Sequence, residues 1–160
     1  MYKINDKVVY KKDVCLISDI KEMNGMDYYV LIPVNDESLK ISVPTTSNSV
    51  REVLTKKKAE DLIKMMPSIE PLEDDGRVLD YTFRELMNDG SYESLIKIIK
   101  TVYIRNQDRL SKKKKLSDRE NTYFKEAEKY LYTELSTALK MTVKDTKKYI
   151  ISTLGDKDEK

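Results

Sequence analysis

Histidine is absent from this 160-residue chain, which removes at once the commonest general base at neutral pH and the commonest zinc ligand. No other grouping replaces it, so the expectation is a protein that is not an enzyme, with no catalytic residues, no metal and no cofactor. Cysteine occurs once, as Cys15, inside an apolar strand-like run where a small buried hydrophobe is the expected role. Glycine and proline number only 4 each while 36% of residues are charged and 39% hydrophobic, a balance that describes a charge-rich, largely helical globular chain rather than a disordered one. No apolar run approaches the roughly 20 residues that a membrane-spanning helix needs, and the opening Met1, Tyr2, Lys3, Ile4, Asn5, Asp6 lacks the apolar core of a secretory signal. A cytoplasmic location without membrane contact is expected.

What is present changes its period at about Thr55. Before it, apolar residues fall in short runs rich in Val, Ile and Tyr and bounded by turns; beyond it they recur at helical spacing. The expected fold class is therefore α+β, with a small Tudor-like or SH3-like β-barrel over residues 1–54 and an all-α domain of five helices over 55–160. Four strands are expected: 7–10, 14–20, 28–32 and 39–43. Asn24 and Gly25 supply the hairpin between the second and third, because a type I′ turn needs positive φ at both positions. Pro44 should end the fourth strand, whose alternation suits an edge. Such an edge can accept a strand from another protein, or can simply be protected from pairing by Lys40.

In the second half, Ala59, Leu62, Ile63 and Met66 mark a helix over 55–66 that stops at Pro67. A solvated linker over 67–76 follows; its acids Glu70, Glu73, Asp74 and Asp75 lack the spacing of a calcium loop. Leu79, Phe83, Leu86 and Met87 predict a helix over about 77–88 closed by Asp89 and Gly90, and Ser91 caps the next, with Leu95, Ile98, Ile99 and Val102 as its buried stripe and Lys97 and Lys100 opposite. Ser117 to Glu120 has the spacing of a capping box before a long helix whose inner face is Phe124, Ala127, Leu131, Leu135 and Ala138. Thr142 starts a last helix that Gly155 should end.

Charge is uneven. The net charge is only +2, and the first 54 residues hold seven Lys/Arg against eight Asp/Glu. Residues 95–115, in contrast, contain Lys97, Lys100, Arg105, Arg109, Lys112, Lys113, Lys114 and Lys115 against Asp108 alone. A cluster of that density suits phosphates, and if about five of them were neutralised, affinity would fall roughly 500-fold between 50 and 200 mM salt. A lysine-rich loop is equally at home as plain solvated surface. No base-reading module is visible, so any DNA contact is expected to be to backbone or shape. Tyr92, Tyr103, Tyr123 and Tyr130 read as margins of the helical core rather than as stacking platforms.

Taken together, 4–10 (Ile-Asn-Asp-Lys-Val-Val-Tyr), 28–31 (Tyr-Tyr-Val-Leu), 41–44 (Ile-Ser-Val-Pro), 95–105, and Ala127, Leu131, Glu134, Leu135, Ala138 and Leu139 resemble, in order and spacing, the CarD/CdnL family of bacterial transcription regulators. The resemblance implies an N-terminal Tudor-like domain, shared with transcription-repair coupling factors, that pairs with the RNA polymerase β subunit. It also implies a helical C-terminal domain that touches promoter DNA at the upstream edge of the melted region, and hence a nucleoid-associated protein with no small-molecule substrate. Carried onto this chain, the polymerase-binding positions are Lys21, Met23, Lys40 and Ser42. The DNA-binding positions are Arg84, Lys97, Arg105, Arg109, Lys112, Lys113, Lys114 and Lys115. The family's wedge tryptophan has no counterpart, since the chain has no Trp; the matching segment, 75–81, offers Leu79 or Tyr81 instead. The turn after Tyr10 is Lys11-Lys12-Asp13 where the family has small residues, and the hairpin around Asn24 and Gly25 is shorter than in many members.

Two other classes remain open on residues alone. Small barrels and lysine loops also suit an RNA- or ribosome-associated adaptor, and the linker acids are the one place a carboxylate-dependent nuclease could be sought. A repair translocase is excluded by the lack of a Gly-x-x-x-x-Gly-Lys loop.

Overall fold

A computed structural model describes residues 1–73 and 78–158, which divide into two compact units, Met1–Thr55 and Lys56–Lys160. The first is a five-stranded antiparallel sheet: β1 (Lys7–Tyr10), β2 (Asp13–Met23), β3 (Met26–Pro33), β4 (Ile41–Pro44) and β5 (Val50–Glu52), in the order β4-β3-β2-β1-β5. The second is built, among the described residues, from α1 (Lys56–Met65), α2 (Leu79–Asp89), α3 (Tyr92–Ser111), α4 (Asp118–Leu139) and α5 (Val143–Asp158), with a 3-10 turn at Met66–Ser68. The α+β class is thus established as a small antiparallel sheet followed by helices.

In the sheet, Val8, Cys15, Ile17, Tyr29, Leu31 and Val43 form the core, with Tyr2, Tyr10, Ile20, Ile41 and Val50 packed against it. The pairing register explains how two isoleucines three apart share this face. It shifts between Ile17 and Asp19, leaving Ser18 as the extra residue whose hydroxyl donates to Val30 O at 3.2 Å. Ile17 then opposes Leu31 and Ile20 opposes Tyr29, both on the buried side. The phenol of Tyr29 is buried but satisfied, accepting from Tyr2 N–H at 3.1 Å. Cys15 is fully buried, and burial first, then the nearby Asp13 charge, pushes its thiol up to about 11. Such a thiol has little thiolate at neutral pH and behaves as a hydrophobe.

Two expectations need correction here. The sheet has five strands, not four: β5, a three-residue strand with no alternation of its own, exists because β1 templates it, pairing Val8 with Glu52, Val9 with Arg51 and Tyr10 with Val50. The fourth strand begins at Ile41, so Leu39 and Lys40 precede it in a turn in which Leu39 N–H reaches Asp36 O. Among the described residues no ladder joins β4 to β5, so the sheet has two edges. The expected Asn24-Gly25 hairpin is present, both residues having positive φ. The β1–β2 hairpin makes the same turn with Lys11 and Lys12, at φ 47° and 77°, where glycine or asparagine is usual.

In the helical unit α4 is central. It touches α1, α2, α3 and α5, and its C-terminal half is buried on several sides, through Leu131, Thr133, Glu134, Leu135, Ser136, Ala138 and Leu139. The buried Glu134 carboxylate accepts from Tyr92 Oη at 2.7 Å, tying the start of α3 to the C-terminal half of α4. Asp89 accepts from Ser94 Oγ at 2.6 Å and from Ser91 N–H, which hold its carboxyl below the ordinary aspartate value. With Ser91 accepting from Ser94 N–H and Gly90 in the left-handed region at φ 66°, this makes the α2–α3 turn tight. The segment after α1 is not a solvated linker where it is described. Ile69 is buried, its carbonyl accepts from Lys100 Nζ at 2.7 Å, and Leu72 N–H donates to Thr101 Oγ1 at 2.8 Å. Lys100, expected on the solvent side of α3, therefore points to this docked segment. Asp74, Asp75, Gly76 and Arg77 lie outside the described residues. Helix α5 does not stop at Gly155 but continues to Asp158.

Helix α4 ends in a Schellman motif: Met141 N–H reaches Ser136 O at 3.0 Å and Lys140 N–H reaches Thr137 O at 3.3 Å, with Lys140 left-handed at φ 57°. A lysine there carries a Cβ penalty that glycine avoids. Lys140→Gly should raise the unfolding free energy by about 1 kcal/mol, read as a higher urea midpoint at unchanged slope. A lower midpoint would show that the lysine side chain contributes more than its backbone strain costs.

Candidate nucleic-acid and protein interfaces

The sequence-derived residues separate onto two surfaces, one in each unit. On the sheet, the register places Asp19, Val30 and Ser42 in one cross-strand row and Lys21, Tyr28 and Pro44 in the next. Met23 faces Met26 beyond them. These rows lie on the side opposite Ile20, Tyr29 and Val43. Lys21, Met23 and Ser42 are therefore on one face, all exposed, while Lys40 is exposed just before β4 begins. Met26, 46% exposed against 43% for Met23, joins them. Residue-by-residue transfer missed Met26 and Tyr28, although the two-residue turn at Asn24 and Gly25 already fixes their opposition. Strand β4 bounds this face, pairing with β3 on one side and, among the described residues, with nothing on the other.

In the helical unit the arginines behave differently from the lysines. Glu120, in the first turn of α4, accepts from both arginines at the end of α3. Arg105 Nε and Nη2 reach its two oxygens at 2.9 and 3.2 Å, and Arg109 Nη1 and Nη2 reach them at 2.9 and 2.8 Å. The side chains are only 30%, 16% and 14% exposed for Arg105, Arg109 and Glu120. Asn106 extends the network to Asn121 at 2.9 Å and accepts from Arg109 at 3.2 Å. Only half of the expected capping box forms: Ser117 accepts from Glu120 N–H at 3.2 Å, but the Glu120 carboxylate is aimed at the two guanidinium groups. Burial alone pushes that carboxyl upward; the hydrogen bonds and charges of Arg109 and Arg105 together overcome it and leave it below the ordinary glutamate value. Arg105 and Arg109, expected to be DNA-facing, are thus the pins between α3 and α4.

A second carboxylate serves α2 in the same way. Asp80 Oδ2 lies 2.9 Å from Arg84 Nη2 and 3.5 Å from Arg119 Nη1, and Asp80 Oδ1 accepts from Tyr123 Oη at 3.2 Å. Here Arg84 and Arg119 are 61% and 73% exposed and keep an open side. Leu79, Asp80, Phe83, Ser117, Arg119, Glu120 and Tyr123 line a cavity of about 160 Å³ between the starts of α2 and α4. Leu79 itself is 2% exposed and belongs to the core, so of the two expected wedge residues it cannot reach a partner; Tyr81 is 62% exposed and can. Residue 75, where the matched segment begins, lies outside the described residues.

Of the remaining basic candidates, the half-buried Lys97 lies 3.7 Å from the exposed Glu93, and Lys112 lies 3.2 Å from Asp108 in an exposed pair, each pair one turn apart. Lys113, Lys114 and Lys115 are exposed and carry no ion pair among the described residues. Their loop folds back on the end of α3, Lys113 N–H reaching Leu110 O at 3.1 Å and Lys114 N–H reaching Arg109 O at 2.7 Å. The field is therefore carried by the loop rather than by the helix. Of the linker acids, Glu70 and Glu73 are exposed, and the described residues hold no group of three or more His, Cys, Asp or Glu arranged for a metal ion. No described helix is long and apolar enough to cross a membrane. No protein-family model matches the chain, and no curated protein matches it.

Removing the carboxylate of Glu120 leaves two partly buried guanidinium groups without a counter-charge. Glu120→Ala should lower the stability of the helical unit by about 2 kcal/mol, between the values for exposed and fully buried pairs. Because the folded carboxyl lies below its ordinary value of 4.5, its contribution is complete above that value and fades as pH falls through the lower, folded one. Urea titrations of both proteins from neutral pH downward should therefore converge in strong acid. A constant gap across that range would contradict the assignment.

Proposed function

We propose that this chain is a non-enzymatic transcription regulator of the CarD/CdnL kind. Its first unit, a Tudor-like module, adds β4 to a strand of the RNA polymerase β subunit, and its second meets promoter DNA through backbone phosphates with little sequence preference. The observation that carries the reading is the open outer side of β4 next to the exposed face of Lys21, Met23, Met26 and Ser42. Main-chain hydrogen bonds along such an edge supply affinity, and the alternate side chains beside it supply choice of partner. The sequence resemblance names the partner. The lysine loop supports the second half, offering Lys113, Lys114 and Lys115, whose ammonium groups have no ion pair among the described residues, and Lys112 in an exposed pair that a phosphate can displace. Joining both ends in one chain raises the local concentration of each partner for the other.

Polymerase pull-down with the full chain tests the first contact. Lys21→Glu together with Met23→Glu should abolish retention while leaving the circular dichroism spectrum unchanged; undiminished retention would contradict the assigned face. For the second contact, four loop lysines on phosphates predict that duplex affinity falls about 150-fold between 50 and 200 mM salt. A flat salt response, or tighter binding of RNA hairpins than of duplex DNA at one salt concentration, would contradict it.

A further inference from the structure

At its C-terminal end the exposed face of α3 carries three apolar side chains among the polar Gln107, Asp108 and Ser111. Tyr103, Ile104 and Leu110 are 57%, 52% and 57% exposed, while Arg105 and Arg109 from the same turns are bound to Glu120 on the other side of the helix. With 3.6 residues per turn, Tyr103, Gln107 and Leu110 fall within about 60° of one another and Ile104 lies about 100° from Tyr103. The stripe from Tyr103 to Leu110 runs about 10 Å along the axis. Where it ends the lysine loop begins, held against Leu110 by the Lys113 N–H bond to its carbonyl. An aromatic ring and aliphatic side chains at 50–60% exposure are accessible to a partner that has apolar faces of its own. The neighbouring lysines, which carry no ion pair among the described residues, point to an anionic partner.

Which anionic partner also has flat apolar faces? A duplex hides its bases inside the stack and shows phosphates and groove edges. An unpaired strand shows both, and base–aromatic stacking beside a basic track is how such strands are held without sequence preference. An anionic membrane surface also combines charge with apolar material. However, Gln107 sits in the middle of this stripe and Asp108 beside Ile104, and both would lose hydration in lipid. The Gln107 amide can instead pair with a base edge.

We infer that Tyr103, Gln107 and Leu110, with Lys113, Lys114 and Lys115, form a binding site for an unpaired nucleic-acid strand. Tyr103 stacks on a base and the lysines neutralise the flanking phosphates, over a length of about three nucleotides. This rests on the reading that the lysine loop meets DNA, and it adds that the site distinguishes unpaired from paired strands.

Fluorescence anisotropy with the full chain, at about 50 mM salt, compares a short oligothymidine, the same backbone without bases, and a duplex of equal length. Tyr103→Ala should weaken the oligothymidine at least about fivefold and leave the abasic strand and the duplex unchanged, and Tyr103→Phe should restore it. Lys113→Ala, Lys114→Ala and Lys115→Ala combined should weaken all three ligands. If the lysine variant weakens the duplex but Tyr103→Ala affects no ligand, or all equally, the stacking site is wrong while the proposed DNA contact stands. If the lysine variant leaves the duplex unchanged, the DNA contact itself is wrong. Sedimentation with phosphatidylglycerol vesicles that is lost in Tyr103→Ala, with oligothymidine binding intact, would overturn the inference in favour of a membrane surface. These side chains are exposed, and unchanged helical circular dichroism verifies that each variant is folded.

Discussion

One carboxylate, Glu120, decides what the helical unit presents to its surroundings. By receiving a bidentate bond from each of Arg105 and Arg109 it fixes the rotation of α3 against α4, turning both arginines of α3 inward and leaving Tyr103, Ile104 and Leu110 outward. The same contact starts α4 in the right place, because Glu120 N–H is also the donor to the Ser117 cap. Helix α4 then forms the centre against which α1, α2, α3 and α5 are laid. A lysine at either arginine position would supply the charge but not the planar fork, so the geometry depends on guanidinium chemistry and not merely on sign.

The two units present unlike chemistries. The sheet offers an unpaired strand edge with a mixed face of Lys21, Met23, Met26 and Ser42, a surface suited to another protein's main chain. The helical unit offers concentrated positive charge in a loop next to an apolar stripe, a surface suited to a polyanion with exposed rings. Neither requires a reacting group, and the proposed regulator draws on binding alone.

How far the sequence revealed this depends on the type of signal. The change from strand to helix near Thr55, the Asn24-Gly25 hairpin, the Ser91 cap and the Gly90 stop were legible because each rests on local backbone chemistry that neighbours do not override. Strand β5 was not, because Val50, Arg51 and Glu52 become a strand only through β1. The Lys11-Lys12 turn was unreadable for the opposite reason: tertiary pairing of Tyr10 with Asp13 forces two lysines into a conformation that their own preferences oppose. Among the site residues, the lysines of 112–115 were placed correctly on the surface, as loops usually are. Arg105 and Arg109 read as exposed cations since their partner lies more than ten residues ahead, and a capping-box pattern had already assigned Glu120 another task. Tyr103 read as core margin because a tyrosine at helical spacing usually is one.

The central claim is that β4 is the strand that a polymerase subunit extends. Amide hydrogen exchange on the full chain, with and without the RNA polymerase β subunit, addresses it directly, because a newly formed ladder slows exchange at the amides it uses. The account predicts protection confined to residues 41–43 and their flanks, with β5, the other edge, unchanged. Unaltered exchange in β4 under saturating β subunit, or protection at 50–52 instead, would contradict it.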